Sequence, residues 1–372
     1  MQVLNVEILG GVGEYGRNCF YVETEGRAIL LDCGVMNNHE KTSPDLTEAH
    51  VAKLDAVFIS HSHIDHVGAL PLLEQWGYNG QLFMSKMTAQ QLKHTYENIT
   101  IFQPESMGNW LTISDNLSFQ WGFSGHVIGS VWYKIRFLEE VIFFSGDYVV
   151  DSYLLKATLP TEDDRGYDLA FIDSGHIEKR IKNVEVLQQV TKFINAKQNC
   201  PIIFPSSFSG KTADIATYLF QHTARELMVD NELLAFFEDY VEAPENLMSS
   251  TFNTVLTALK SNHLQDKTEG DNAIYFVPER DESTISKLLS EFPTAIVIFT
   301  GYCKNGSNLK HVVQNRAKQF FYKTHPDYHD IIELSQKINA QKIIYFHSQL
   351  TTKETTLLKI IGNEDDIYDE PC

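Results

Sequence analysis

The sequence predicts an α/β protein of two lobes, in which strands deliver polar side chains to one edge of a sheet sandwich. The first observation is size, because 372 residues that are 43% hydrophobic can bury a large core and divide into two lobes. The second is a repeated pattern of an apolar strand followed by His or Asp, as from Val141 to Asp147. The third is an alternation of strand and helix over residues 201–321, which is typical of a parallel sheet.

Apolar periodicity and turn residues position the elements along the chain. Successive strands are predicted over residues 1–60, and strands are predicted again over 111–147, 201–204 and 295–299. Helices are predicted over 67–75, 88–97, 184–196 and 213–220. Ser85 or Thr88 is the expected cap of the second of these helices. The predicted domain bounds are 1–200, 201–321 and 322–372, where the last segment returns to the first lobe.

The most informative segment is His61-Ser62-His63-Ile64-Asp65-His66, which directly follows the apolar run from Asp55 to Ile59. Two imidazoles separated by one residue can hold one metal ion, and the Asp and His that follow can serve a second ion. A solvated His-rich loop is the alternative, but it would need neither a carboxylate within the cluster nor a strand leading into it. The segment therefore predicts a two-metal centre.

Three other segments supply candidate ligands. His126 lies in a glycine-flanked turn, Asp147 follows a buried strand, and His347 follows the apolar run that starts at Ile343. An Asp at a strand end is suited to bridging two cations. Each residue alone is typical of an ordinary polar strand end, but the repeated pattern is what a shared metal site at one sheet edge requires.

These motifs resemble those of the metallo-β-lactamase superfamily, and most of all its β-CASP branch, which contains ribonuclease J and the pre-mRNA 3′-end-processing endonuclease. Leu9 to Asn18 is similar to the opening of ribonuclease J, and Leu30 to Gly34 matches the motif whose Asp, here Asp32, braces the metal loop. The resemblance spans nearly the whole chain. It implies an αββα metallo-β-lactamase sandwich with an inserted α/β β-CASP domain.

Charge and geometry, with the family as guide, assign a ligand set. His61, His63 and His126 would hold one metal ion, and Asp65, His66 and His347 the other, with Asp147 as the bridge. Asp65 counts among the catalytic residues as well. Zinc is expected because imidazole and carboxylate ligands suit it, and manganese stays open. A water between the ions would lose a proton near neutral pH and attack phosphorus.

Three further motifs distinguish the β-CASP nucleases. Asp173 stands in Asp-Ser-Gly where the family usually has Glu-Ser-Thr, and His325 stands in Lys-Thr-His-Pro-Asp. His347 stands in His-Ser-Gln where the family usually has His-Gly-Glu, and a His here resembles the RNA-acting members. The resemblance implies that His325, held by Asp173, gives the leaving 3′-oxygen its proton.

The net charge of −19 is unfavourable for binding nucleic acid, which needs local positive potential. Part of this acidity lies in the tail after residue 363, whereas Lys and Arg cluster over residues 304–323 and 179–182. These clusters indicate either solvated helix faces or a basic track. Strand–loop–helix segments present backbone N–H groups to phosphate. The expected phosphate contacts in such segments are Ser207, Ser209, Lys211 and Ser307.

Other patterns narrow the class of protein. Gly11 to Gly16 fits G-x-G-x-x-G, but a strand-like run follows it, which favours a hairpin over a dinucleotide site. The five cysteines are scattered without a C-x-x-C pair, which suits a reducing cytosol. No apolar run is long enough for a bilayer span, and no secretory leader pattern is evident. We expect a cytoplasmic protein and leave a homodimer open.

The leading prediction is a metal-dependent ribonuclease with single-stranded RNA as its substrate. A lactonase or glyoxalase II-like hydrolase is one alternative, but such enzymes need no second lobe ahead of the last ligand. A DNA nuclease of the same branch is disfavoured by His347, and a catalytically inactive scaffold by the full ligand set. Endonuclease and 5′-exonuclease activity both stay open.

Overall fold

A computed structural model describes residues 4–37, 40, 42–163, 165–248, 252–260, 272–301, 313 and 315–350. The chain divides into two compact units. The first consists of Met1–Val150, Ala157–Arg180 and His325–Cys372, and the second of Asp151–Lys156 and Ile181–Thr324. Within the described residues, no helix has the length and apolar character needed to cross a membrane.

The first unit is built on two six-stranded sheets. The strands of one sheet, in spatial order, are β1 (Asn5–Gly10), β2 (Cys19–Thr24), β3 (Arg27–Leu31), β4 (Leu54–Phe58), β5 (Gln81–Ser85) and β6 (Ile99–Phe102). The strands of the other are β7 (Leu111–Ser114), β8 (Leu117–Phe123), β9 (Val131–Phe137), β10 (Glu140–Phe144), β11 (Tyr167–Asp173) and β17 (Ala340–Phe346). Its spatial order is β17-β11-β10-β9-β8-β7.

Alternating side chains of these strands build the core. The inward residues of both sheets form one buried aromatic and aliphatic cluster, in which Phe20 stacks on Phe171 with ring centroids 4.8 Å apart. The outward residues pack under helices on either side. These helices are α1 (Glu48–Val51), α2 (Ile64–Val67), α3 (Leu70–Gln75), α4 (Lys86–Gln91) and α10 (Tyr328–Ile338). The αββα sandwich implied by the resemblance is confirmed.

Some of the elements predicted for this unit are confirmed, and others have different bounds. β1 and β2 pair antiparallel, so the glycine-rich segment between them is a hairpin connection, as predicted. The helix predicted over 67–75 begins only at Leu70: α2 ends at Val67 with Gly68 as its C-cap, and the Ala69 N–H donates to the Cys33 carbonyl at 2.8 Å. The helix predicted over 88–97 ends early, because Leu92 adopts an extended backbone. Ser85 caps it by accepting a hydrogen bond from Thr88 N.

The second unit carries a five-stranded sheet with parallel pairing throughout, as the alternation of elements predicted. Its strands are β12 (Ile202–Ser206), β13 (Leu227–Val229), β14 (Ile274–Pro278), β15 (Ile296–Phe299) and β16 (Ala317–Gln319), in the order β13-β14-β12-β15-β16. Its helices are α5 (Asn183–Asn195), α6 (Gly210–His222), α7 (Asn231–Glu242), α8 (Phe252–Lys260) and α9 (Glu282–Glu291).

The bounds of the second unit differ from the predicted 201 and 321. The unit takes in α5 and extends to Thr324. Asn183 joins the two ends of this stretch, because its side chain donates to the Lys323 carbonyl and accepts from Lys323 N, at 3.0 and 2.9 Å. Asp214 anchors the separate segment Asp151–Lys156 by accepting from Tyr153 N and Leu154 N. Neither set of hydrogen bonds could be predicted from the local pattern of apolar residues.

Candidate metal centre

The metal loop follows β4 at the edge of the sandwich. Its backbone runs from Ser60 into the short helix α2, with His63 at the N-cap position. His61 and His66 are completely buried, so both imidazoles face inward and not into solvent. The three other segments predicted to carry ligands end nearby, at His126, Asp147 and His347, and all of them belong to the first unit.

His61, His63, His126 and Asp147 form a first cluster of candidate ligands. His63 Nδ1 lies 3.0 Å from His61 Nε2 and 3.1 Å from His126 Nε2. Asp147 Oδ2 lies 3.7 and 3.4 Å from those same two Nε2 atoms. Ligands about 2.0–2.2 Å from a tetrahedral ion are separated from one another by about 3.3–3.6 Å. The four atoms therefore fit around one divalent ion.

Asp65, His66 and His347 form a second cluster. Asp65 Oδ2 lies 3.9 Å from His66 Nε2 and 3.3 Å from His347 Nε2. Asp147 reaches this cluster too, with Oδ1 3.2 Å from His66 Nε2 and Oδ2 3.6 Å from His347 Nε2. Because Asp147 contacts both clusters, its carboxylate has the position of a bridge. Its Oδ1 is buried and accepts no hydrogen bond, as expected of an atom suited to a cation.

Asp32 holds the loop from behind. It follows β3 in the left-handed region, with φ +56°, and is completely buried. One carboxylate oxygen accepts from Ser60 N at 2.7 Å. The other accepts from Ser60 Oγ at 2.7 Å and lies 2.6 Å from His66 Nδ1. A proton on His66 Nδ1 leaves Nε2 with a free lone pair, so this contact selects the tautomer that can bind a metal.

The charges of the site favour cations. Burial lowers the pKa of His61 and of His63, so both imidazoles are neutral and can donate a lone pair. Burial opposes protonation of His66 as well, but Asp147 and Asp32 raise its pKa well above the usual value. Burial also opposes protonation of His347, but Asp147 and Asp65 raise its pKa to about 9. Divalent ions would compete with these protons for the buried carboxylates and imidazoles.

His347 has an uncommon backbone. Its φ is +64°, which is rare for a residue with a side chain. Its N–H donates to the Gly11 carbonyl at 2.8 Å, and Ser348 forms an isolated bridge with Val12. The turn after β17 is thus held against the hairpin connection between β1 and β2. Backbone strain of this kind is characteristic of functional sites.

A second pair of polar side chains lies beside the two clusters. His325 Nδ1 is 2.9 Å from Asp173 Oδ2, at the end of β11. Asp173 is completely buried and accepts hydrogen bonds from Tyr148 N and Gly175 N, which fix its orientation. The His325 ring centroid lies 4.3 Å from that of His347 and 5.1 Å from that of His126. The pair therefore adjoins both candidate ion positions.

Sequence reasoning missed two neighbours of these residues. His176 packs against His325 with ring centroids 5.0 Å apart, and its Nδ1 accepts from His325 N. Asn18 is completely buried, with its side-chain nitrogen 3.0 Å from His66 Nε2. The only available signal was their sequence position: His176 lies three residues after Asp173, and Asn18 lies two residues after Gly16.

The predicted phosphate contacts belong to the second unit. Ser207 and Ser209 lie in the loop between β12 and α6, with their hydroxyls 2.8 Å apart, and Lys211 is in the first turn of α6. Ser307 lies outside the described residues. Two members of the basic clusters have structural partners: Arg316 donates to the Leu289 carbonyl, and the buried Lys323 pairs with Asp151. Lys304 and Lys310 lie outside the described residues.

Comparison with known proteins gives the same family for this site. Residues 12–82 match the Metallo-beta-lactamase superfamily. The chain is 30% identical over 183 residues to Integrator complex subunit 11 of Danio rerio, covering 40% of this chain and 30% of the relative. It is 22% identical over 408 residues to Endoribonuclease ysh1 of Schizosaccharomyces pombe, covering 92% of this chain and 54% of the relative. The alignments thus span 54% or less of these relatives.

A solved structure matches over the full length. The fold is similar to that of a protein of unknown function from Enterococcus faecalis V583, with a TM-score of 0.64 and 12% identity. The match covers 100% of this chain and 98% of that one, and at this identity it concerns the fold alone. The matched segment and the two relatives support the resemblance to the metallo-β-lactamase superfamily and its β-CASP branch that the metal loop and its position on the sandwich indicate.

Proposed function

We propose that the protein is a metal-dependent ribonuclease that hydrolyses RNA phosphodiester bonds. The observation that carries this proposal is the position of Asp147 between two ligand clusters, next to the pair formed by His325 and the buried Asp173. Two-metal centres of this kind suit in-line displacement at phosphorus. An endoribonuclease stands among the relatives of the chain, which supports RNA as the substrate.

The ligands divide between two divalent ions, for which zinc is the first candidate and manganese the second. His61, His63 and His126 would hold one ion, Asp65, His66 and His347 would hold the other, and Asp147 lies where it could serve both. When bound, such ions supply a nucleophile at neutral pH and stabilise charge on the attacking and leaving oxygens. Asp65 would serve both as a ligand and as a catalytic residue, because its carboxylate would orient the attacking water.

His325 supplies the proton that the leaving 3′-oxygen needs. Its Nδ1 faces Asp173 Oδ2, so a proton on Nδ1 is held in place and Nε2 is the atom that transfers a proton to substrate. Asp173 is oriented by two backbone N–H groups and in turn orients the imidazole. Asp173 is therefore a positioning residue, and His325 is the catalytic residue.

The loop that precedes α6 is the candidate phosphate site of the second unit. Ser209 is the N-cap of a 13-residue helix, and its side chain does not cap the helix by a hydrogen bond. Thr212 Oγ1 instead donates to the Ser207 carbonyl at 2.6 Å, which holds the loop. Backbone N–H groups at such a helix start attract phosphate. Ser207, Ser209 and Lys211, with Ser307 as a further candidate, would bind backbone phosphate of RNA.

One assay tests the function. Metal-depleted protein reloaded with zinc or manganese is incubated with end-labelled single-stranded RNA, DNA of the same sequence and a lactone panel. We expect cleavage of RNA in preference to both other substrates, with loss of cleavage in Asp147→Ala. Preferential turnover of a lactone, or cleavage that survives Asp147→Ala, would overturn the proposal. The position of the label in the products also separates endonuclease from 5′-exonuclease activity.

A further inference from the structure

An exposed aromatic residue stands at the rim of the metal centre. Tyr15 is 50% exposed and lies in the connection between β1 and β2. Its ring centroid is 6.2 Å from that of His347, with the two rings at 69°. Among the large hydrophobic side chains exposed in the described part of the chain, the only other aromatic is Phe220, at 36%. Tyr15 is thus set apart by its exposure and by its neighbour.

The backbone that carries Tyr15 is tied down on both sides. Glu14 Oε1 accepts from Gly11 N at 3.0 Å and from Arg17 Nε at 2.6 Å, which closes the loop around Tyr15. The Gly11 carbonyl accepts from His347 N, so the same loop is joined to a candidate ligand. Tyr15 is therefore held at a fixed distance from the metal centre.

A second exposed apolar side chain belongs to the metal loop itself. Ile64 is 36% exposed and lies between the candidate ligands His63 and Asp65. Exposed apolar side chains do not help buried carboxylates and imidazoles to bind metal ions. Such neighbours fit a substrate in which an anionic group is joined to a flat apolar one. A nucleotide combines these two parts.

We propose that Tyr15 stacks on a nucleobase of the RNA next to the phosphate that is cleaved. This inference rests on the proposed ribonuclease function and adds a contact to it. Stacking on an aromatic ring tolerates any base, because every base offers a flat face. The tyrosine ring, and not its hydroxyl, makes the contact. Ile64 covers the edge of the same subsite.

The test compares Tyr15→Ala, Tyr15→Phe and the control Phe220→Ala, each loaded with the same metal. Loss of one base–aromatic stack should raise the KM for single-stranded RNA about 5- to 150-fold in Tyr15→Ala. Tyr15→Phe and Phe220→Ala should stay near wild type. RNA with a single abasic nucleotide beside the cleaved bond should remove the difference between wild type and Tyr15→Ala, whereas a distant abasic nucleotide should not.

Two results would overturn the inference. One is an unchanged KM in Tyr15→Ala. The other is a rise in the KM of Tyr15→Ala that is the same whichever nucleotide of the RNA is abasic and that comes with altered metal content. That combination would indicate a damaged loop. Failure of the ribonuclease proposal looks different: wild-type protein would then hydrolyse bis-p-nitrophenyl phosphate but leave RNA intact.

Discussion

Gly175 is required for the position of His325. A Cβ added at Gly175 would lie 2.7 Å from His325 Cγ and 2.9 Å from its Cβ, whereas ordinary contact begins at 3.4 Å. In Gly175→Ala the imidazole must therefore retreat by about 0.7 Å, the difference between 3.4 and 2.7 Å. Starting from 2.9 Å between Nδ1 and Asp173 Oδ2, that retreat can stretch the hydrogen bond beyond its useful range.

The expected result follows from the role of His325. A misplacement of this size at a reacting group costs about 10- to 100-fold in turnover. Gly175→Ala should therefore lower kcat for RNA by this factor while metal content stays near two ions per chain. With bis-p-nitrophenyl phosphate the loss should be small, because p-nitrophenolate leaves without a proton. The leaving-group dependence separates a misplaced acid from a damaged fold.

Two controls complete the experiment. Gly26→Ala places its Cβ in open space but at a strained φ of +77°, so it controls for a loss of stability without a clash and should leave turnover near wild type. Combining Gly175→Ala with His325→Ala should cost no more than His325→Ala alone, because both changes remove the same proton donor. Wild-type turnover of RNA by Gly175→Ala, or an equal loss with both substrates, would refute the reasoning.

Three further predictions concern single side chains. His325→Ala should slow RNA turnover by ~10²–10⁴ with unchanged metal content, and Asp173→Asn should resemble it; metal loss in His325→Ala, measured by elemental analysis, would mean that His325 is a ligand. His347→Ala should lower the occupancy of one ion, which the same analysis would detect, and full occupancy would remove it from the ligand set. Lys211→Glu should weaken RNA binding and reduce its dependence on salt in a titration; an unchanged salt slope would mean that the RNA contacts lie elsewhere.

The candidate ligands could be predicted because their signal is local. The His61 to His66 segment places three His and one Asp within six residues, and Asp147 and His347 follow apolar strands. Parallel pairing of β10, β11 and β17 brings their carboxyl ends to one edge, so strand-end residues become neighbours. The same pairing places Asp173, the last residue of β11, at this edge, although the sequence indicated it only through the family resemblance.

Contacts between distant segments could not be predicted. His325 packs closely against Gly175 because two turns that are distant in sequence approach each other. The Asp-Ser-Gly motif alone does not predict this contact. Lys323 counts as a surface cation by type, but it is completely buried in the second unit beside Asp151. The start of that unit was misplaced for the same reason, because the exchange between Asn183 and Lys323 joins residues far apart in sequence.

A titration of metal-depleted protein with zinc or manganese, with RNA cleavage followed at each step, tests the central claim most directly. The shared position of Asp147 between two ligand clusters predicts that cleavage rises until about two equivalents are bound per chain and then levels off. The matched Asp147→Ala protein should stay inactive throughout. Full cleavage before any metal is added, or a plateau at one equivalent, would contradict a two-metal ribonuclease.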